Sequence, residues 1–186
     1  MIILKNINMT LDKKSIKSAM KQLDDFEKIL KPAMINLIER LAEKGVEIAR
    51  AELIFFDDPA YMTGALSESV NYRMVGEDGL VTAGEGLDSK YGSYAMFVEY
   101  GTGIVGKENH HPEYEEAGYE YDLNNHDHGG WWYPAAWGFL EADDGQMLAW
   151  TDGMPARPFM YNTLQDLAIE AETMGGKIIA EYIADH

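Results

Sequence analysis

The run from Tyr91 to Gly103 leaves this chain few ways to fold. Tyr94, Met96, Val98 and Tyr100 alternate with Ala95, Phe97 and Glu99, the period-two pattern of a strand. Both alternating sets are largely apolar, so the predicted strand lies inside a sheet or beneath a helix rather than against water. One acid, Glu99, sits within it, and a carboxylate buried there needs a partner. Arg157 is the attractive candidate, because its planar fork grips a carboxylate in two places. The expected role of the pair is to pin the last helix onto the sheet.

The rest of the chain supplies what such a strand would pack against. Asp12 is placed to cap a helix carrying Ile16, Met20, Leu23, Phe26 and Leu30 on one face. Pro32 marks a boundary, and a second helix is expected from Ala33 to Phe56, with Gly45 marking a close helix contact or a slight break. Val70 to Val75 and Leu80 to Ala83 read as a hairpin turning at Glu77-Asp78-Gly79. Ile2 to Leu4 suits an edge strand. After Pro158 a final helix reaches about Ile183, with Met160, Leu164, Leu167, Ala171, Met174, Ile178 and Tyr182 on one stripe. The expected class is α+β: an antiparallel sheet of about four strands packed against N-terminal and C-terminal helices. A single domain, 1–186, is expected, and 186 residues suffice for a real core.

Residues 104–151 form an insertion of unusual composition. They hold all four tryptophans, four of the five histidines, and ten acids against the single base Lys107. So long a structureless loop is improbable in a compact domain, so a short hairpin or two is expected here, packing its aromatics on the sheet. Trp131 and Trp132 belong to a dense aromatic cluster of the kind found in packed loops and interfaces.

Three motifs in order resemble the siphophage tail-component family, proteins of the neck that joins a phage head to its tail. They are Thr63-Gly64-Ala65-Leu66 with Ser69, then Tyr94 to Thr102 including Glu99 and Gly101, then Pro155 to Phe159 including Arg157, Pro158 and Phe159. The resemblance covers roughly residues 35–183. Members from phages of Gram-positive bacteria look similar within the insertion too, at Gly101 to Gly103, His111-Pro112, Gly130 to Tyr133 and Trp150 to Pro155. The resemblance implies a structural virion-assembly protein of the neck or tail completion, not an enzyme. It would act as one subunit of a homo-oligomeric ring, beside other head–tail connector and tail proteins. It would be assembled in the host cytoplasm and carried at the head–tail junction of the virion. Candidate assembly surfaces are the Gly101–Gly106 loop, the Trp131–Tyr133 cluster and exposed helix faces.

Other chemistries find weaker support. The net charge of −17 repels phosphate at long range, so sequence-specific nucleic-acid binding is not expected, although DNA is free to pass through such an assembly. No 18-residue apolar stretch exists, so no membrane span is expected, and without cysteine there is no disulfide frame or thiolate site. Gly101-Thr-Gly-Ile-Val-Gly106 has the spacing of a dinucleotide fingerprint but no apolar helical period after it. His110, His111, His126 and His128, with nearby acids, offer a histidine–carboxylate metal site and hence a metal-dependent hydrolase as the alternative function. Their spacing matches no compact ligand pattern. No Gly-x-Ser-x-Gly elbow frames Ser67, Ser69 or Ser93, and the scattered acids give no paired-carboxylate geometry. No cofactor and no catalytic residue is expected.

Overall fold

The computed structural model describes residues 12–54, 64–87, 94–121, 130–134 and 140–185. The expected edge strand at Ile2–Leu4, and Thr63, His126, His128 and Trp137, lie outside these residues. The class is α+β, with helices at both ends of the chain and two small antiparallel sheets, of two and three strands, in place of one sheet of about four. The chain divides into two compact units. One contains Met1–Ile48, Asn71–Val81 and Thr163–His186, and the other Ala49–Val70 and Thr82–Asn162.

In the first unit, α1 (Lys13–Ile54) begins as its sequence dictates. The Asp12 carboxylate accepts the N–H groups of Lys14 and Ser15, each at 3.0 Å, filling two donors that the first turn leaves without helical partners. Pro32 does not divide the helix: α1 runs through it. An interior proline removes one ladder bond and costs about 3 kcal/mol, which the packing beyond it offsets. Ala33 and Ala42 are fully or nearly buried. A side chain on Gly45 would meet Leu167 and Val81 at 3.0 Å, so this glycine is a close-contact position.

Against α1 lies the hairpin of β1 (Asn71–Val75) and β2 (Asp78–Thr82). Its turn sits at Gly76-Glu77, earlier than the expected Glu77-Asp78-Gly79, because the two-residue turn needs the left-handed backbone that Gly76 adopts (φ 67°). Gly79 is instead inside β2, where a Cβ would crowd Ala42 and Ile38. The Tyr72 hydroxyl donates to Glu43.

The last helix of the chain, Phe159–Asp185, buries Thr163 and Ile178. Leu164, expected on the buried stripe, is 62% exposed.

In the second unit, α2 (Ala65–Ser69) is a single turn opened by left-handed Gly64. Arg50 closes it, its guanidinium donating to the carbonyls of Ser67 and Val70. The stretch expected as the central strand is helical: α3 spans Tyr94–Tyr100. Its buried residues are Ala95, Val98 and Glu99, the i, i+3, i+4 face of a helix. Apolar residues on both alternating sets fit either structure, since a short apolar run carries no decisive period.

α4 (Gly103–Glu108) follows directly. The insertion then supplies β3 (Trp131–Pro134), β4 (Leu140–Glu141) and β5 (Met147–Thr151), ordered β3-β5-β4. β6 (Gly153–Met154) leads into the last helix, α5.

Candidate functional site: the Glu99 knot and the aromatic sheet

Glu99 is where the motifs of the second unit converge. It is 7% exposed, and its carboxylate accepts three hydrogens. Met160 N–H reaches Oε2 at 2.9 Å and Tyr161 N–H reaches Oε1 at 3.0 Å. Both belong to the first turn of α5, whose N–H groups have no helical acceptor. The carboxylate therefore caps α5 from another helix, at the end where the helix dipole favours negative charge. The third donor is His111 Nε2, 3.2 Å from Oε1. Its other ring nitrogen, Nδ1, accepts Glu113 N–H at 3.0 Å. An amide N–H can only donate, so Nε2 carries the ring proton and points it at Glu99.

This replaces the expected Glu99–Arg157 pair. Arg157 is buried and lies beside α3, its backbone N–H donating to the Val98 carbonyl at 2.9 Å. The carboxylate is met instead by an imidazole and two amides. Glu99 fixes the start of the last helix, but through its own contacts from α3 and not through a pair with Arg157 on a sheet. Burial raises the Glu99 carboxyl above its ordinary value, against the opposing pull of the two amides and His111.

A ring of aromatics encloses the pair. His111 lies 4.4 Å from the Tyr100 ring and meets Tyr161 edge-on at 5.3 Å. Tyr119 stacks on Tyr100 at 4.7 Å. The hydroxyls of Tyr119 and Tyr121 donate to the carbonyls of Gly101 and Tyr100, each at 2.8 Å, so the C-terminal end of α3 is capped by side chains too. Burial pushes the Tyr119 phenol up to about 12. His110 accepts no part in the Glu99 contact; its ring lies against Tyr114 at 4.6 Å.

The glycines of the Gly101-Thr102-Gly103 motif serve backbone crossing. Gly101 ends α3 in the left-handed region (φ 79°), and any side chain on it would strike Ala156 N at 2.6 Å and Met154 O at 2.8 Å. Thr102 and Gly103 bridge to Met154 and Gly153, and the Thr102 hydroxyl accepts Met154 N–H at 3.2 Å. A helix does start at Gly103, contrary to the sequence expectation. The element before it is another helix, however, and the space a pyrophosphate would need holds residues 152–156.

The first motif joins the same knot. Leu66 is buried, and the Ser69 hydroxyl accepts Gly84 N–H at 2.8 Å while donating to the Leu66 carbonyl at 2.7 Å. Gly84 in turn abuts Ala95 of α3. Phe159 of the third motif is wholly buried.

Chemically the arrangement is closed. His111 is 2% exposed, both its nitrogens are engaged, and Glu99 spends both oxygens on the helix and the imidazole. Among the described residues no cluster of histidines and acids is arranged to hold a metal, and no helix is long and apolar enough to cross a membrane. His111 was visible in the sequence as a metal candidate but not as the partner of Glu99. The tyrosine caps carried no sequence signal.

The insertion forms a second feature. Across β3 and β5, Trp132 stands opposite Trp150, and Leu140 of β4 faces Leu148 of β5 from the other side. Alternation places these on one face of the sheet. Trp132 is 46% exposed, Trp150 39% and Leu140 47%. The two indoles meet edge-on at 5.4 Å, and Trp150 Nε1 donates to Asp152. Trp131 points to the opposite face, where it approaches Gly103.

The chain matches no protein-family model, no curated protein and no solved structure.

Proposed function

We propose that this chain is a structural protein of the head–tail neck, or of tail completion, in a siphophage or prophage, working as a subunit of a homo-oligomeric ring. The observation that carries the reading is the use made of the three motifs behind the resemblance. Gly64, Leu66 and Ser69, Tyr94 to Thr102, and Arg157 to Phe159 lie in one unit, where the side chains of Ser69, Glu99 and Thr102 accept backbone N–H groups of Gly84, of the start of α5 and of Met154. Motifs so employed suit a part that works by shape. The exposed face of Trp132, Trp150 and Leu140 suits contact with connector or tail proteins, since rigid aromatics are enriched at such surfaces. The acidic surface, −17 overall, leaves DNA free to slide past it.

The test is a joining reaction. Deleting the gene from the phage that encodes it should yield filled heads and separate tails, and adding the purified chain should join them, as counted by electron microscopy. Normal tailed particles from the deletion would overturn the reading.

A further inference from the structure

The sheet of the insertion sets a charge beside its exposed indoles. Trp132 and Trp150 stand opposite each other on β3 and β5, and both are exposed among the described residues. Their rings meet edge-on, with 72° between their planes, so the pair does not close on itself as a stack would. Trp150 Nε1 donates to Asp152 Oδ1 at 2.9 Å. That bond holds an exposed carboxylate at the rim of the indole, on the same side of the strand. An ionised carboxylate offers about four acceptor positions, and the indole takes one of them.

Charge selects what this face receives. Between Lys107 and Arg157 the sequence has many acids and no lysine or arginine. Glu141 of β4, Asp143 and Asp144 of the turn into β5, and Asp152 are all exposed. A partner that meets the sheet gains by bringing positive charge and is repelled if it brings carboxylate or phosphate. A second copy laid sheet to sheet would add acid to acid, so the partner is a different chain. Of the cations a polypeptide carries, arginine uses both features of the face. Its planar guanidinium stacks on an indole and also forks onto a carboxylate, whereas the lysine ammonium is a compact, strongly hydrated point charge. The indole N–H lies in the ring plane, so a guanidinium laid on the Trp150 face has Asp152 at its edge.

We infer that this sheet face binds an arginine-bearing segment of another protein, with a guanidinium stacked on Trp150, walled by Trp132 and paired with Asp152. The inference rests on the reading of this face as the contact with connector or tail proteins, and it supplies the chemistry of that partner.

The test uses the full chain and a fluorescent peptide of alternating arginine and glycine, beside peptides with lysine or glutamate in place of arginine. Anisotropy should show saturable binding of the arginine peptide, weaker binding of the lysine peptide and none of the glutamate peptide. Trp150→Ala should weaken arginine-peptide binding about tenfold with unchanged circular dichroism. Asp152→Asn keeps an acceptor for the indole N–H but removes the charge, and should weaken binding about threefold. Asp143→Asn removes the same charge away from the indoles and should leave binding as it was. Absence of saturable binding, or equal binding of the arginine and lysine peptides, would overturn the inference. So would equal losses from Asp143→Asn and Asp152→Asn, which is the mark of a diffuse field, or tighter binding of the glutamate peptide. Peptide binding is read on the purified chain and joining on particles, so failure here and failure of the neck reading remain distinguishable.

Discussion

At the scale of the residue, Glu99 shows how burial and capping together assign a carboxylate its task. Its three donors are fixed in place, so Glu99→Gln keeps the size but turns one acceptor into an amide donor facing an N–H of α5. Leaving a buried donor unmet costs about 2 kcal/mol, which lowers the melting temperature by about 4–8 °C in a chain of this length. Calorimetry of the variant checks this. The titration carries a definite sign. The folded state holds the Glu99 proton more tightly than the unfolded chain, because burial raises its value above the ordinary 4.5. Its contribution to stability is therefore full below about pH 4.5 and is lost as pH rises through the raised folded value. Wild type should lose stability relative to Glu99→Gln over that window and run level above it, as denaturant titrations at stepped pH would read. The need of Glu99 for a partner was legible in the sequence. The partner was not, because charge pairing singles out Arg157, whereas the donors are two backbone amides and an imidazole that only tertiary structure brings near.

At the scale of the element, the signals that held were local ones. Asp12 caps α1, as the residue type and its place before an apolar period predict. The hairpin β1–β2 and the strands around Trp131 and Trp150 follow from turn glycines and branched or aromatic runs. The failures arose where local preference and packing disagree. Tyr94–Tyr100 satisfies a strand pattern on both faces yet folds as α3, where Ala95, Val98 and Glu99 make one buried face. Pro32 reads as a stop yet lies inside α1. Because it removes a ladder bond to the Lys28 carbonyl, Pro32→Ala should tighten the helix locally by up to about 3 kcal/mol. Slower amide exchange over residues 20–36 is the expected result, and unchanged exchange there would contradict a helix continuous through Pro32. At the C-terminal end of α3, Tyr119→Phe removes one hydroxyl from the Gly101 carbonyl and should cost about 1 kcal/mol, measurable in denaturant.

At the scale of the whole molecule, each of the two units has its own logic. The first sets α1 with a hairpin and the body of the last helix through close contacts at Gly45 and Gly79. The second ties α3, the crossing glycines and the start of α5 around one carboxylate. The aromatic insertion offers an outward sheet face beside them in sequence, and its cluster of tryptophans had marked it in the sequence as one candidate surface for contacts. The central claim is that Glu99 and His111 hold a shape and perform no reaction. It is tested most directly by measuring head–tail joining with Glu99→Gln below the temperature at which that variant melts. The account predicts joined particles at wild-type yield from the folded variant, with loss only as it unfolds. A variant that is fully folded yet joins nothing would contradict it, and would give the buried pair a role beyond structure.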